Sequence, residues 1–101
     1  MTVSCSPSNP QLIVVGGGGN TISMLVFYNF NGANFTIEQN ITETAVSEIT
    51  STTFTNDGSH LYRVSTASGM AKFDSAGANQ VNITDPAITG KALSKVRVNE
   101  N

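Results

Sequence analysis

Residues 22–30, Ile-Ser-Met-Leu-Val-Phe-Tyr-Asn-Phe, constrain the fold more than any other stretch of this chain. Ile22, Met24, Val26, Tyr28 and Phe30 alternate with Ser23, Leu25, Phe27 and Asn29, the two-residue period of a strand. Leu25 and Phe27 make the second face apolar as well. Such a strand needs cover on both sides, from a central place in its own sheet or from another chain. Asn31-Gly32 follows, the residue pair favoured for a tight type I′ turn, and the return run sets Phe35 and Ile37 against Asn34, Thr36 and Glu38.

The rest of the chain repeats this strand-and-turn grammar. Leu12-Ile13-Val14-Val15 is a short apolar strand, and Gly16-Gly17-Gly18-Gly19-Asn20 reads as a flexible turn. A phosphate cradle would need a Lys followed by Ser or Thr after such glycines, and Asn20-Thr21-Ile22 supplies none. From Thr50 onward, turns at Asn56-Asp57-Gly58-Ser59, Ala67-Ser68-Gly69 and Asp74 to Asn79 separate strands near 51–55, 60–66, 70–73 and 80–84. Asp85-Pro86 opens the final segment, where 92–98 reads as a terminal edge strand guarded by Lys95 and Arg97.

Turn signals at this spacing predict an all-β chain, a small antiparallel β-sandwich or barrel. Residues 1–11 carry two prolines among polar residues and read as an extended N-terminal arm, either mobile or lying on a neighbour; residues 12–101 form one β-rich domain. The ambiguous stretch is 41–49. Ile41, Ala45 and Ile49 recur every four positions, as on one face of a short helix, while β-branched neighbours favour irregular strand or loop.

Composition argues for a chemically quiet molecule. Thr 12, Ser 11 and Asn 11 dominate, against one Cys, one His and no Trp in 101 residues. A serine or cysteine nucleophile needs a base held by a third group, and His60 is the sole histidine, placed just after a turn. One His and one Cys cannot furnish a structural zinc site, and Glu38, Glu43 and Glu48 at intervals of five do not stack into a metal site. No catalytic residue, cofactor or metal ligand is expected. Three Asn-X-Thr sequons, at Asn34, Asn40 and Asn82, are about as many as the Asn, Ser and Thr content produces by chance.

Location and partners follow by the same reasoning. Met1-Thr2-Val3-Ser4 shows no positive n-region with an apolar h-region, and no run approaches a membrane-spanning length, so neither a secretory leader nor a membrane partner is expected. Cys5 has no intramolecular partner, which fits synthesis in a reducing cytoplasm. Nucleic acid is disfavoured because there is no basic run and Phe27, Tyr28, Phe30 and Phe35 stand far from any cation. Glu38, Glu43, Glu48 and Asp57 are the only charges before residue 60, whereas Lys and Arg all lie after it, a polarity that can steer one copy onto another.

A domain of this size buries only about 60 to 65% of the surface its unfolded chain exposes, so contact with further copies is an expected source of stability. In length, composition and expected architecture the chain resembles the small capsid decoration, or cement, proteins of tailed bacteriophages. That resemblance implies a non-enzymatic virion protein made in the host cytoplasm. It would self-associate as a trimer and bind the major capsid protein or another virion protein. Contacts to the shell or to sister copies are then expected in residues 1–15 and in the 22–37 hairpin, by arm exchange and added strands, with Leu12, Val14, Leu25, Phe27 and Phe35 as the expected interface residues. The alternative is a small carbohydrate- or receptor-binding β-module, with Tyr28, Phe54 and Tyr62 stacking on sugar and the turns at Asn56 and Asn79 supplying hydrogen bonds.

Overall fold

The structure is a computed structural model and describes residues 2–18, 23–43, 49–65, 69–83 and 96–97. Eight strands run in chain order: β1 (Thr2–Cys5), β2 (Leu12–Gly18), β3 (Ser23–Phe30), β4 (Phe35–Glu43), β5 (Ile49–Phe54), β6 (His60–Ser65), β7 (Met70–Asp74) and β8 (Val81–Asn82). They form two four-stranded antiparallel sheets, β1-β2-β3-β4 and β5-β6-β7-β8, each a simple meander. The all-β architecture is the expected one. No helix occurs among the described residues: 41–43 continue β4, Ile49 opens β5, and 44–48 lie outside the described residues.

Alternation along each strand sends one set of side chains between the sheets. Leu12, Val14, Leu25 and Phe27 come from the first sheet and Ile49, Phe54, Leu61, Ala71 and Phe73 from the second, forming one core. Phe27 and Phe73 meet across it with ring centroids 6.5 Å apart at 60°. Full burial of a side chain of this size contributes roughly 1.5–3 kcal/mol, so the core is the main source of cohesion.

Two expectations about the N-terminal region are corrected. The presumed arm is paired within its own chain, since Thr2 to Cys5 align with Gly16 to Ile13 and make β1 the edge of the first sheet. Its hydroxyls then reach the other sheet: Ser4 Oγ donates to the Thr52 carbonyl at 2.8 Å. The prolines fall in the connection between β1 and β2, where Ser6 Oγ accepts from the amides of Ser8 and Asn9. Gly16 to Gly18 are strand rather than turn, paired with Leu25, Met24 and Ser23. The reason at Gly16 is space, because a Cβ there would sit 2.9 Å from Thr2 Cγ2 and 3.0 Å from Ile49 Cγ2.

The turn at Asn31-Gly32 exists but is not the expected two-residue one. Phe30 pairs with Phe35, leaving a four-residue loop in which the Asn34 carbonyl accepts from the Asn31 amide at 3.2 Å. Asn31 Oδ1 accepts from the amides of Ala33 and Asn34 at 3.0 and 2.9 Å. The Asn31 side chain therefore does the closing that a type I′ backbone would otherwise do. Of the segment expected as a terminal strand, 92–98, the described residues are Val96 and Arg97. They carry no strand, and the Val96 amide donates to Ser51 Oγ at 3.3 Å.

Candidate interaction surface

A bulge in β4 decides what the first sheet shows to solvent. Phe27 aligns with Gln39, but the next β3 residue, Tyr28, aligns with Ile37, so Glu38 is the extra residue. A strand without the bulge would hold 35, 37, 39 and 41 on one face, pointing inward with Phe27. The inserted residue reverses the alternation. Gln39 and Ile41 stay on the inner side, whereas Ile37 and Phe35 turn outward beside Tyr28 and Phe30.

There they build an aromatic group. Phe35 stacks on Phe30 with centroids 4.5 Å apart at 30°, and meets Tyr28 edge-on at 5.8 Å and 78°. Such pairs contribute about 0.5–1.5 kcal/mol beyond the area they bury. Yet Phe35 is still 57% exposed and Ile37 61%, with Met24 at 42% and Val3 at 61% on the same outer face. The register places Cys5, Ile13, Val15 and Val26 on that face too. Asn40 and Thr42, which align with Val26 and Met24, add polar groups to that face, and Glu38 stands exposed at the bulge. Among the described residues β4 pairs only with β3, which makes it the edge of the first sheet.

The residues expected to make contacts divide sharply. Leu12, Val14, Leu25 and Phe27 are buried in the core between the sheets and are not surface residues. Phe35 alone of the five is exposed. Both faces of β3 are indeed apolar, and the structure assigns them: Leu25 and Phe27 inward, Met24 and Tyr28 outward. The outward set Val3, Met24, Tyr28, Phe30 and Ile37 lies within the stretches expected to make contacts, 1–15 and 22–37, but none of the five is singled out by the sequence as an interface residue. The signal that would have found it is the conflict between Ile37 and Ile41, which cannot share a face with Tyr28 and Leu25 respectively unless the strand slips.

The polar end of the second sheet was weighed as chemistry. His60 Nδ1 lies 2.9 Å from Ser59 Oγ, and its Nε2 lies 3.8 Å from Asp74 Oδ1. Ser59 Oγ donates to Asp57 Oδ1 at 2.7 Å, so its proton points at a carboxylate and His60 is not placed as its base. Asp57 also accepts from the Ser59 amide and the Thr55 hydroxyl. Those bonds, the Ser59 amide foremost, hold its carboxyl down at about 2 against an ordinary 3.8. Asn79 donates to Asp74 at 2.6 Å, completing a network that ties the β5–β6 and β7–β8 loops together. No cluster of three or more potential metal ligands occurs among the described residues.

The sugar-stacking set does not converge. Phe54 is buried in the core, while Tyr28 and Tyr62 project from the outer faces of opposite sheets. The charge polarity is also weaker at the surface than in the sequence, because Arg63 is buried, 1% exposed, with Nη1 donating to the Gly69 carbonyl at 3.5 Å. The candidate surface is thus mainly apolar, with the β3–β4 hairpin supplying its aromatic group. No protein-family model, curated protein or solved structure matches this chain.

Proposed function

We propose that this chain is a non-enzymatic structural protein that works by contact, joining copies of itself and cementing or decorating a viral capsid. One observation carries the reading: the outer face of the first sheet groups Val3, Met24, Phe35 and Ile37 as exposed large hydrophobic side chains, with Phe35 and Ile37 more than half exposed. A face like this costs free energy in water and marks association. The capsid setting is supported by the small β-domain, the quiet composition and the resemblance to phage decoration proteins. In this reading sister copies meet through the β3–β4 hairpin, as a symmetric oligomer with trimer as the expected state, and the remaining surface meets a capsid subunit.

The test is absolute mass in solution by light scattering on a sizing column, for the native chain and for a Phe35→Ser, Ile37→Ser double variant. Both positions are exposed, so the variant keeps its core. The reading expects a native oligomer that the variant reduces to monomer, and co-sedimentation with undecorated phage capsids that the variant loses. A native chain that is monomeric at every concentration overturns it.

A further inference from the structure

We infer that Asn31 is a self-modification site, at which the backbone amide of Gly32 attacks the Asn31 side chain and expels ammonia. Three features of the loop point to it. Gly32 has no side chain to shield its nitrogen, sits at φ +97°, and a Cβ there would have nothing within 4 Å, so no neighbouring group crowds the attacking residue. Asn31 is exposed at the loop's first position. Most telling, the amides of Ala33 and Asn34 already donate to Asn31 Oδ1 at 3.0 and 2.9 Å. Attack on Cγ moves negative charge onto that oxygen, so two preorganised donors face the atom where charge develops, which is the arrangement of an oxyanion hole.

The reaction balances without any cofactor. Hydroxide or a buffer base removes the Gly32 amide proton, and the nitrogen forms a bond to Asn31 Cγ. The Cγ–Nδ2 bond breaks, and Nδ2 leaves as ammonia with a proton from water. The five-membered imide that results is opened by one water molecule at either carbonyl. The products are aspartate or isoaspartate at position 31, each adding one negative charge, and isoaspartate also adding a methylene to the main chain.

The other Asx–Gly step among the described residues, Asp57-Gly58, is built in the opposite sense. Its carboxyl is ionised near and above neutral pH, as an ordinary carboxylate is, which makes it a poor electrophile, and the Gly58 amide is occupied in donating to the Thr55 carbonyl at 2.9 Å. Gly58 is also buried. The inference therefore discriminates: position 31 converts and position 57 does not. The conversion itself is independent of any partner. Its consequence, a carboxylate beside the Phe30–Phe35 stack, bears on assembly only if the preceding reading holds.

The experiment is a time course of the folded full chain in mildly alkaline buffer, with the urea-unfolded chain alongside, read by peptide mapping and an isoaspartate assay. The expected result is loss of the Asn31 amide in the folded chain at least as fast as in the unfolded one, with Asp57 unchanged. Gly32→Ala is expected to slow it severalfold. Asn31 retained in the folded chain while the unfolded chain converts, or conversion at Asp57 matching that at Asn31, overturns the proposal. Mass mapping reads a monomer as well as an oligomer, so failure here and failure of the assembly reading are separate results.

Discussion

Ser4 Oγ donates to the carbonyl of Thr52 at 2.8 Å and lies 2.7 Å from Thr52 Oγ1, so a residue of the first strand is bonded to the edge strand of the opposite sheet. Thr2 Oγ1 reaches the same hydroxyl at 3.3 Å. The N-terminal strand is therefore a clasp between sheets. Ser4→Ala is expected to cost about 1 kcal/mol, the usual net worth of such a bond, with a matching fall in the urea midpoint. A free arm would show no change.

Crowding holds Gly16, Gly58 and Gly77, and the first and last of these set up a comparison. Gly16→Ala drives a methyl against Thr2 and Ile49, and is expected to destabilise by about 1–3 kcal/mol. Gly77→Ala is expected to cost more, because the residue sits at φ +93° and its Cβ would fall 2.8 Å from Phe27 Cε1. Thermal melts of the two variants, compared with the native chain, order these effects.

The two faces of the β3–β4 hairpin separate folding from association. Phe27→Ala opens a cavity at the sheet–sheet boundary and is expected to cost about 3–5 kcal/mol, a large share of the stability of a domain this size. Phe35→Ala, on the exposed face, is expected to cost less than about 1.5 kcal/mol in the monomer, the value of its ring contacts. Denaturant unfolding at a concentration below any self-association measures both.

Asp57 gives a signed pH dependence. Its folded value, about 2, lies below the ordinary 3.8, so ionisation favours the folded state. That contribution is fully present above 3.8 and is lost as pH falls toward and through about 2. Asp57→Asn is expected to flatten this part of the acid-unfolding profile and leave stability near neutral pH lower than native. A titration of the Asp57 carboxyl followed by NMR reads the midpoint directly.

Strand identity was legible in the sequence because it rests on local alternation. β3 and the strands from Thr50 to Thr84 are visible in which residues are apolar and where Gly, Asn and Asp interrupt them. What the sequence hid depends on contacts across the fold. Gly16 to Gly18 look like a turn until they are seen paired with Leu25, Met24 and Ser23, and at Gly16 the side chains of Thr2, Ile49 and Leu25 take the room a Cβ would need. Residues 2–5 look like an arm until their hydroxyls find Thr52. The exposed apolar face was hidden for one reason, the extra residue at Glu38, which moves Phe35 and Ile37 to the face opposite Phe27. Leu12, Val14, Leu25 and Phe27 were the more apolar choice for an interface, and that is why the core claimed them first.

Because strand order follows chain order in both sheets, each sheet can zip up from its own hairpins as the chain leaves the ribosome. The first sheet is then complete while its inner face, Leu12, Val14, Leu25 and Phe27, has nothing to lie on. Phe54, Leu61 and Phe73 arrive only with the second half. A newborn chain thus spends the interval between the two meanders greasy on both sides, and premature pairing with a neighbouring nascent chain is the hazard that synthesis has to outrun.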